Sequence, residues 1–334
     1  MTPLTRRGFG AASLGVLGAG IGSGVGAGRA AAQDAYPGTR PVTLVVSWAP
    51  GGSSDFTARL LAQFMSRELG GNVVVDNRPG ASGTIGHASV ARARPDGYTL
   101  LLGVNSTYAM SRHLFPQRGY DDDTAFAPVG RIAISPIFLC VSAALGVRDI
   151  AALVARAKAE PGKLSYGSSG AGSSAHLATE LFLRAAGIDI QNVTYRGGAP
   201  AVQALVTNEV QVAFVDGVTA LPLMAANQIV AIGISSLERN SLAPTVPTIA
   251  ESGFPGFEAT TNWSLLAPAG TPPAIIQRLY TAKAAAMANA DVIERLKAVA
   301  IVPVPGTPQD FPAYLRAESA KWGEVIRTRG IVLE

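Results

Sequence analysis

Apolar and polar positions alternate between two periods along this chain. Residues 41–47, PVTLVVS, form a continuous β-branched run, the pattern of a strand buried on both faces. After Ala49-Pro50-Gly51-Gly52-Ser53-Ser54-Asp55 the period changes. Phe56, Leu60 and Leu61 fall on one face of a helix predicted to run to Leu69 and to stop at Gly70-Gly71. A strand at Asn72–Asp76, a Pro-Gly loop at 78–80, a helix from Thr84 to Arg92 and a strand at Tyr98–Leu102 follow. The order then recurs: a strand at Leu164–Gly167, a helix at Ala175–Ala186, a strand at Gln191–Tyr195 and a helix at Ala199–Asn208. A strand at Val210–Phe214, a helix from Val218 and a strand at Ile229–Ser235 complete it. Strands alternating with helices predict α/β units with mostly parallel sheets and right-handed crossovers. The segments 273–288, 291–298 and 308–329 read as helices.

Two extended runs interrupt the alternation, 128–141 and 257–267. They let the chain leave one domain, build a second and return. Hinge crossings are expected near 130–140 and 257–265, with one domain from 33–132 plus 262–334 and the other from 133–261. A chain of 334 residues, with 48% hydrophobic and 15% charged residues, is long and apolar enough for two such cores.

Residues 1–32 are set aside as an export signal. Arg6 and Arg7 precede a Gly/Ala/Leu-rich stretch, and Ala30-Ala31-Ala32 fits cleavage before Gln33. Thr5-Arg6-Arg7-Gly8-Phe9 looks like a twin-arginine signal. The formal charge of +4 falls to about +1 without Arg6, Arg7 and Arg29, which removes the electrostatic case for nucleic acid or an anionic membrane. Cys140, the single cysteine, lies in an apolar run and reads as a buried bystander.

Two strand-to-helix junctions carry the candidate chemistry. At the first, Gly51 and Gly52 permit close backbone approach, and Ser53 or Ser54 can cap a helix whose first N–H groups are unpaired. Such a junction binds anions without a basic side chain. The second, YGSSGAGSSAHLATELF at 166–182, supplies Ser168, Ser169, Ser173, Ser174 and His176. Two donor-rich helix starts facing one cleft would suit the two ends of a small dicarboxylate.

Other chemistries fit less well. Gly170-Ala171-Gly172-Ser173-Ser174-Ala175 matches a permissive dinucleotide fingerprint, with Asp189 as its acid, but its loop is longer than that turn wants. Gly167-Ser168-Ser169-Gly170-Ala171 misses the hydrolase elbow at its last position. His87, His113 and His176 are too scattered for a triad or a zinc site, and Asp121-Asp122-Asp123 lacks calcium-loop spacing. No metal or cofactor is expected. An exported hydrolase-like enzyme using the Gly/Ser loops as an oxyanion site is the alternative class.

From about Tyr36 to its end the chain resembles the periplasmic solute receptors of tripartite tricarboxylate transporters, also called Bug receptors. The resemblance is carried by PGGSSDFTARLLA at 50–62, VVVDNRPGASGTIG at 73–86, PDGYTLLLG at 95–103, the second junction, and YRGGAPAVQALVTNEVQVAFVD at 195–216. It implies a type II-like clamshell that captures a small mono- or dicarboxylate in the periplasm, acting as a monomer and delivering it to a membrane transporter or sensor. It implies no catalytic residues. By position, the resemblance assigns ligand contacts to Trp48, Gly52, Ser53, Ser54 and Asp55 in the first loop. Ser168, Ser169, Gly170, Gly172, Ser173 and His176 belong to the second. Asn105 and Ser106 follow the third strand, and Tyr195 to Pro200 and Asp216 end later ones. Asp55 is expected to orient its loop, since two carboxylates repel. Ser47-Trp48-Ala49-Pro50 departs from the family's Pro-Phe-Pro-Pro-like run. Trp48 adds bulk and an indole donor there.

Overall fold

In the computed structural model, which describes residues 36–115 and 117–331, the first apolar run becomes β1 (Val42–Val46). The expected export signal, residues 1–32, lies outside the described residues. Helix α1 (Ser53–Leu69) follows, and it ends where Gly70 takes a φ of 71°, a left-handed turn open to glycine. Next come β2 (Val73–Asn77), α2 (Thr84–Ala91), β3 (Thr99–Val104) and a long strand, β4 (Phe126–Ser142). The second series is α3 (Ile150–Ala159), β5 (Ser165–Ser168), α4 (Ser174–Ala186), β6 (Gln191–Thr194) and α5 (Gly198–Val206). It closes with β7 (Val212–Asp216), α6 (Gly217–Ala225) and β8 (Ile229–Ile234). The chain returns through β9 (Thr260–Pro268), α7 (Pro273–Ala288), α8 (Ala290–Lys297), β10 (Val302–Pro303) and α9 (Phe311–Arg329).

The strands form one mixed sheet in the order β2-β1-β3-β9-β4-β7-β5-β6, with β8 and β10 also on β4. Pairing is parallel among β1, β2 and β3 and among β5, β6 and β7. Antiparallel pairs are those made by β4 and β9. Strand β4 changes partners along its length. Phe126–Pro136 pairs with β9, whereas Ile137–Val141 pairs with β7 and Phe138–Ser142 with β8. The two extended runs that the sequence marks as crossings are therefore paired strands at the centre of the sheet.

Each half of the sheet has its own core. Leu44, Val46, Leu100, Leu102 and Trp263 pack beneath α1, α7 and α8, while Leu139, Tyr166, Phe182, Val212 and Phe214 pack beneath α3 and α4. Helix α3, which the periodicity reading does not assign, starts where Asp149 accepts the Ala152 N–H at 2.7 Å. Trp263 is fully buried, worth about 4–6 kcal/mol as transferred apolar area. Its indole N–H donates to Ser54 Oγ at 2.9 Å, tying β9 to the start of α1.

Candidate functional site

The carboxyl ends of β1 and β3 in one half, and of β5 and β7 in the other, surround a cavity of about 100 Å³. In open α/β sheets this is where ligands lie. Three helices begin on its wall. Gly52 precedes α1 without a side-chain cap, and the first helical hydrogen bond runs from Phe56 N to Gly52 O at 3.0 Å. The N–H groups of Ser53 and Ser54 come before that bond and have no carbonyl one turn back. Gly197 precedes α5, again without a side-chain cap, and Gly198 and Ala199 face the cavity. At α4, Ser173 Oγ accepts the His176 N–H at 3.2 Å, so Ser174 and Ala175 present their N–H groups unspent. Six backbone donors and three positive helix ends thus bound one space.

Side chains complete the wall. Trp48, Ser106, Ser169 and Thr261 contribute polar atoms, and Val104, Ile137, Val202 and Phe214 contribute apolar ones. No Lys, Arg or His lines the cavity among the described residues. The one ionisable group on the wall is Asp216, which caps α6 by accepting Thr219 N at 3.2 Å and Thr219 Oγ1 at 3.3 Å. Burial raises its carboxyl above the usual carboxylate range, and the Thr219 hydrogen bonds oppose that rise.

Of the residues that the sequence proposes, Trp48, Gly52, Ser53 and Ser54 line the cavity from one half, with Ser106. Ser169, Ser173 and Asp216 line it from the other. The remainder lie behind the wall and hold it. Asp55 Oδ2 accepts Gly51 N at 3.1 Å and Arg59 Nε at 2.9 Å. Burial works against its ionisation, but these bonds together hold the carboxyl below its ordinary value. Asn105 donates to Thr260 O at 3.0 Å and Glu318 Oε2 at 3.1 Å, and accepts Asn262 N at 3.0 Å. Ser168 donates to Asn192 at 2.9 Å and Tyr195 to Glu209 at 2.8 Å. His176 Nδ1 accepts the Gly172 N–H at 3.0 Å. Gly170, at φ 136°, lets the loop meet the Trp48 ring, which lies 3.8 Å from where a Cβ would stand.

These placements bear on the competing chemistries. His176 Nδ1 accepts the Gly172 N–H, which places the proton of the neutral ring on Nε2, the nitrogen a triad needs as its base, and His176 does not line the cavity. The Gly170–Ala175 turn is packed against Trp48 and accepts a hydrogen bond from Ser82 at Ala171 O. No group of three or more His, Cys, Asp or Glu with metal-holding geometry occurs among the described residues. Sequence reasoning misses Thr261, Ile137 and Phe214, whose strand patterns read only as core, and Ser82, whose loop lies far from either junction.

Residues 57–331 match the family described as "Tripartite tricarboxylate transporter family receptor". The chain belongs to this family. Protein BugT of Bordetella pertussis is 35% identical over 302 residues, covering 90% of this receptor and 92% of BugT. The solved structure of Rpa4515 from R. palustris with adipate superposes with a TM-score of 0.86 at 37% identity, covering 89% of this chain and 99% of that one. MatC from Rhodopseudomonas palustris with bound malate gives a TM-score of 0.82 at 32% identity, covering 86% and 99%. The α/β fold of this receptor, a mixed sheet flanked by helices, is that of periplasmic binding proteins.

Proposed function

We propose that this receptor is a periplasmic solute-binding protein that encloses a small organic carboxylate between two lobes. The observation that carries the reading is the convergence of three helix starts on a cavity without a basic side chain. An anion there accepts hydrogen bonds from fixed N–H groups, each worth about 1.5–3 kcal/mol when the acceptor is charged and sheltered. Donors from both halves suit an acid with two anionic ends, and Val104, Ile137 and Phe214 suit a short methylene chain between them. The adipate and malate held by Rpa4515 and MatC are six- and four-carbon dicarboxylates.

The proposed lobes are 33–132 plus 262–334 and 133–261; β4 exchanges β9 for β7 between Pro136 and Ile137, four residues beyond the proposed first boundary. Trp48, the two serines of α1, Ser106, the second loop and Asp216 are the proposed ligand-facing set. Asp55, Asn105, Ser168, Gly172, His176 and Tyr195 position it. The receptor performs no covalent chemistry in this reading. It reaches the periplasm through residues 1–32, loses them after about Ala32, and works as a monomer that passes its ligand to a membrane transporter or sensor. A thermal-shift screen of the purified protein against mono-, di- and tricarboxylates tests the reading. A bound acid at a hundredfold excess over Kd is expected to add about 2.7 kcal/mol of stability. A flat response across the whole panel contradicts it.

A further inference from the structure

Helix α9 grips both halves of the molecule. Phe311, Leu315, Trp322 and Ile326 recur at helical spacing and form one apolar face. That face is shared between two cores. Phe311 and Leu315, with Tyr314 beside them, pack with Val45 of β1, Leu101 of β3 and Leu266 of β9. Trp322, Ile326 and Ile331 lie in the core of the other half, with Leu177, Phe182 and Phe257. Polar ties follow the same division. The Tyr314 and Tyr108 hydroxyls meet at 3.2 Å, whereas Lys321 donates to Glu258 at 3.1 Å and Arg184 donates to Gly330 O at 3.3 Å. With 19 residues, α9 is about 28 Å long, enough to span both cores. It is a third crossing beside β4 and β9, and none of its described residues lines the cavity.

The middle of α9 meets the strand crossings through one side chain. Asn105, at the end of β3, donates to Glu318 Oε2 at 3.1 Å and to Thr260 O at 3.0 Å, and it accepts Asn262 N at 3.0 Å. It therefore joins α9, the first residues of β9 and the cavity wall, where Ser106 follows it. Further along the same segment, His113 Nε2 lies 3.0 Å from Ser319 Oγ, and a Cβ at Gly323 would come within 2.6 Å of the His113 ring. Suppose the halves swung apart while α9 stayed with the first. Trp322, Ile326 and Ile331 would leave the second core and put their apolar surface into water. A pivot at Glu318 and Ser319 keeps both grips, so α9 limits how far the halves separate.

We propose that α9 is a strap that holds the two halves near the arrangement that encloses the cavity, and that Glu318 is the positioning residue through which the strap sets the end of β3 against β9. The strap's part in binding rests on the receptor reading; its hold on the halves does not. Apparent affinity scales with the population of the binding-competent arrangement, so a strap that maintains this population raises affinity without touching the ligand.

Spin labels at Glu68→Cys in α1 and Lys158→Cys in α3, both exposed, report the separation of the halves, since the native Cys140 is buried. Two variants are measured against the labelled wild type. Ile326→Ala loosens the grip on the second core, and Glu318→Leu leaves an Asn105 N–H without its acceptor. In both, the free protein is expected to shift to longer distances, and saturating succinate or adipate is expected to restore the wild-type distance. Calorimetric titration with the same acids is expected to show affinity about tenfold lower in each. Glu318→Gln keeps an acceptor oxygen and is expected to match the wild type in both readouts. A lower melting temperature with wild-type distances and affinity would make α9 a packing element only and overturn the proposal. Longer distances with wild-type affinity would overturn the strap's part in binding. A Glu318→Gln variant that behaves like Glu318→Leu would overturn the Asn105 bond as the link. Where Ile326→Ala does not fold, Glu318→Leu decides. If the wild-type protein binds neither acid, the receptor reading loses its support, while the distances in the free protein still test the strap.

Discussion

Ser82, in the loop after β2, donates its hydroxyl to the carbonyl of Ala171, in the loop after β5. The bond joins the two halves above the cavity. Thr107 Oγ1 holds the Ser82 carbonyl at 3.1 Å from below. The backbone that presents Ser82 is strained. Gly80, Ala81, Ser82 and Gly83 have successive φ values of 131°, 44°, 54° and 86°. Non-glycine residues in such conformations cost roughly 1 kcal/mol or more each and persist where contacts hold them. Ser82→Ala is therefore expected to fold normally and to release ligand about five- to tenfold faster, with little change in association. Stopped-flow fluorescence measures both rates, and an unchanged dissociation rate contradicts a latch.

The halves also meet where Gly197 faces Ala49. A Cβ on Gly197 would lie 3.1 Å from Ala49 Cβ, and its φ of 115° is one that L-residues avoid. Gly197→Val is expected to leave the separate cores intact and to abolish stabilisation by ligand. Thermal denaturation with and without the acid reads this directly.

Asp216 makes binding sensitive to pH. Its carboxyl is already raised by burial against the pull of Thr219, and the titratable neighbour that feels its charge, the Cys140 thiol of β4, is itself pushed up by burial and stays neutral. An incoming dianion favours the protonated form of Asp216 further, so ligand binding takes up a proton. Affinity is expected to rise as pH falls towards the range in which Asp216 takes up its proton. Asp216→Asn can still cap α6, and it is expected to flatten that profile. Calorimetry in buffers of different ionisation enthalpy counts the protons.

Lys283 supplies a stability test outside the cavity. It is almost fully buried, and its ammonium donates to Arg131 O at 3.1 Å and Gly306 O at 2.6 Å. Burial lowers it from an ordinary 10.5 to about 8, with Asp310 opposing. Between those values the unfolded chain binds the proton more tightly than the folded one, so stability contributed by Lys283 grows as pH rises through this window. Lys283→Met leaves two carbonyls unpaired and is expected to be destabilised. The gap to wild type is expected to widen by about 3 kcal/mol at alkaline pH, as read from denaturant midpoints.

Much of this architecture was legible in the chain. Continuous β-branched runs such as Val42–Val46, broken by glycine and followed by a helical period, mark parallel α/β units without ambiguity. The helices after the two Gly/Ser loops were legible for the same reason, although they begin at Ser53 and Ser174 rather than at Phe56 and Ala175, and Gly52 rather than a serine precedes the first. The partner exchange of β4 was not, because pairing with β9 and with β7 depends on residues far along the chain. Nor could local pattern separate wall from scaffold. Asn105 looks like a ligand contact until the fold brings Thr260 and Glu318, 155 and 213 residues away, to its amide. His176 and Ser168 look alike in sequence to Ser173 and Ser169, and only the direction of each hydrogen bond tells which face the cavity. Ile137 and Phe214 show the converse, since an apolar residue in a strand reads as core whether it meets a helix or a ligand.

The most direct test of an anion held by helix starts alone is a crystal structure of this receptor with the dicarboxylate it binds most tightly. One carboxylate is predicted within hydrogen-bond reach of the N–H groups of Ser53 and Ser54, and the other at those of Ser174, Ala175, Gly198 and Ala199. A ligand bound outside this cavity, or one whose carboxylate is paired to an arginine or lysine, would contradict the account.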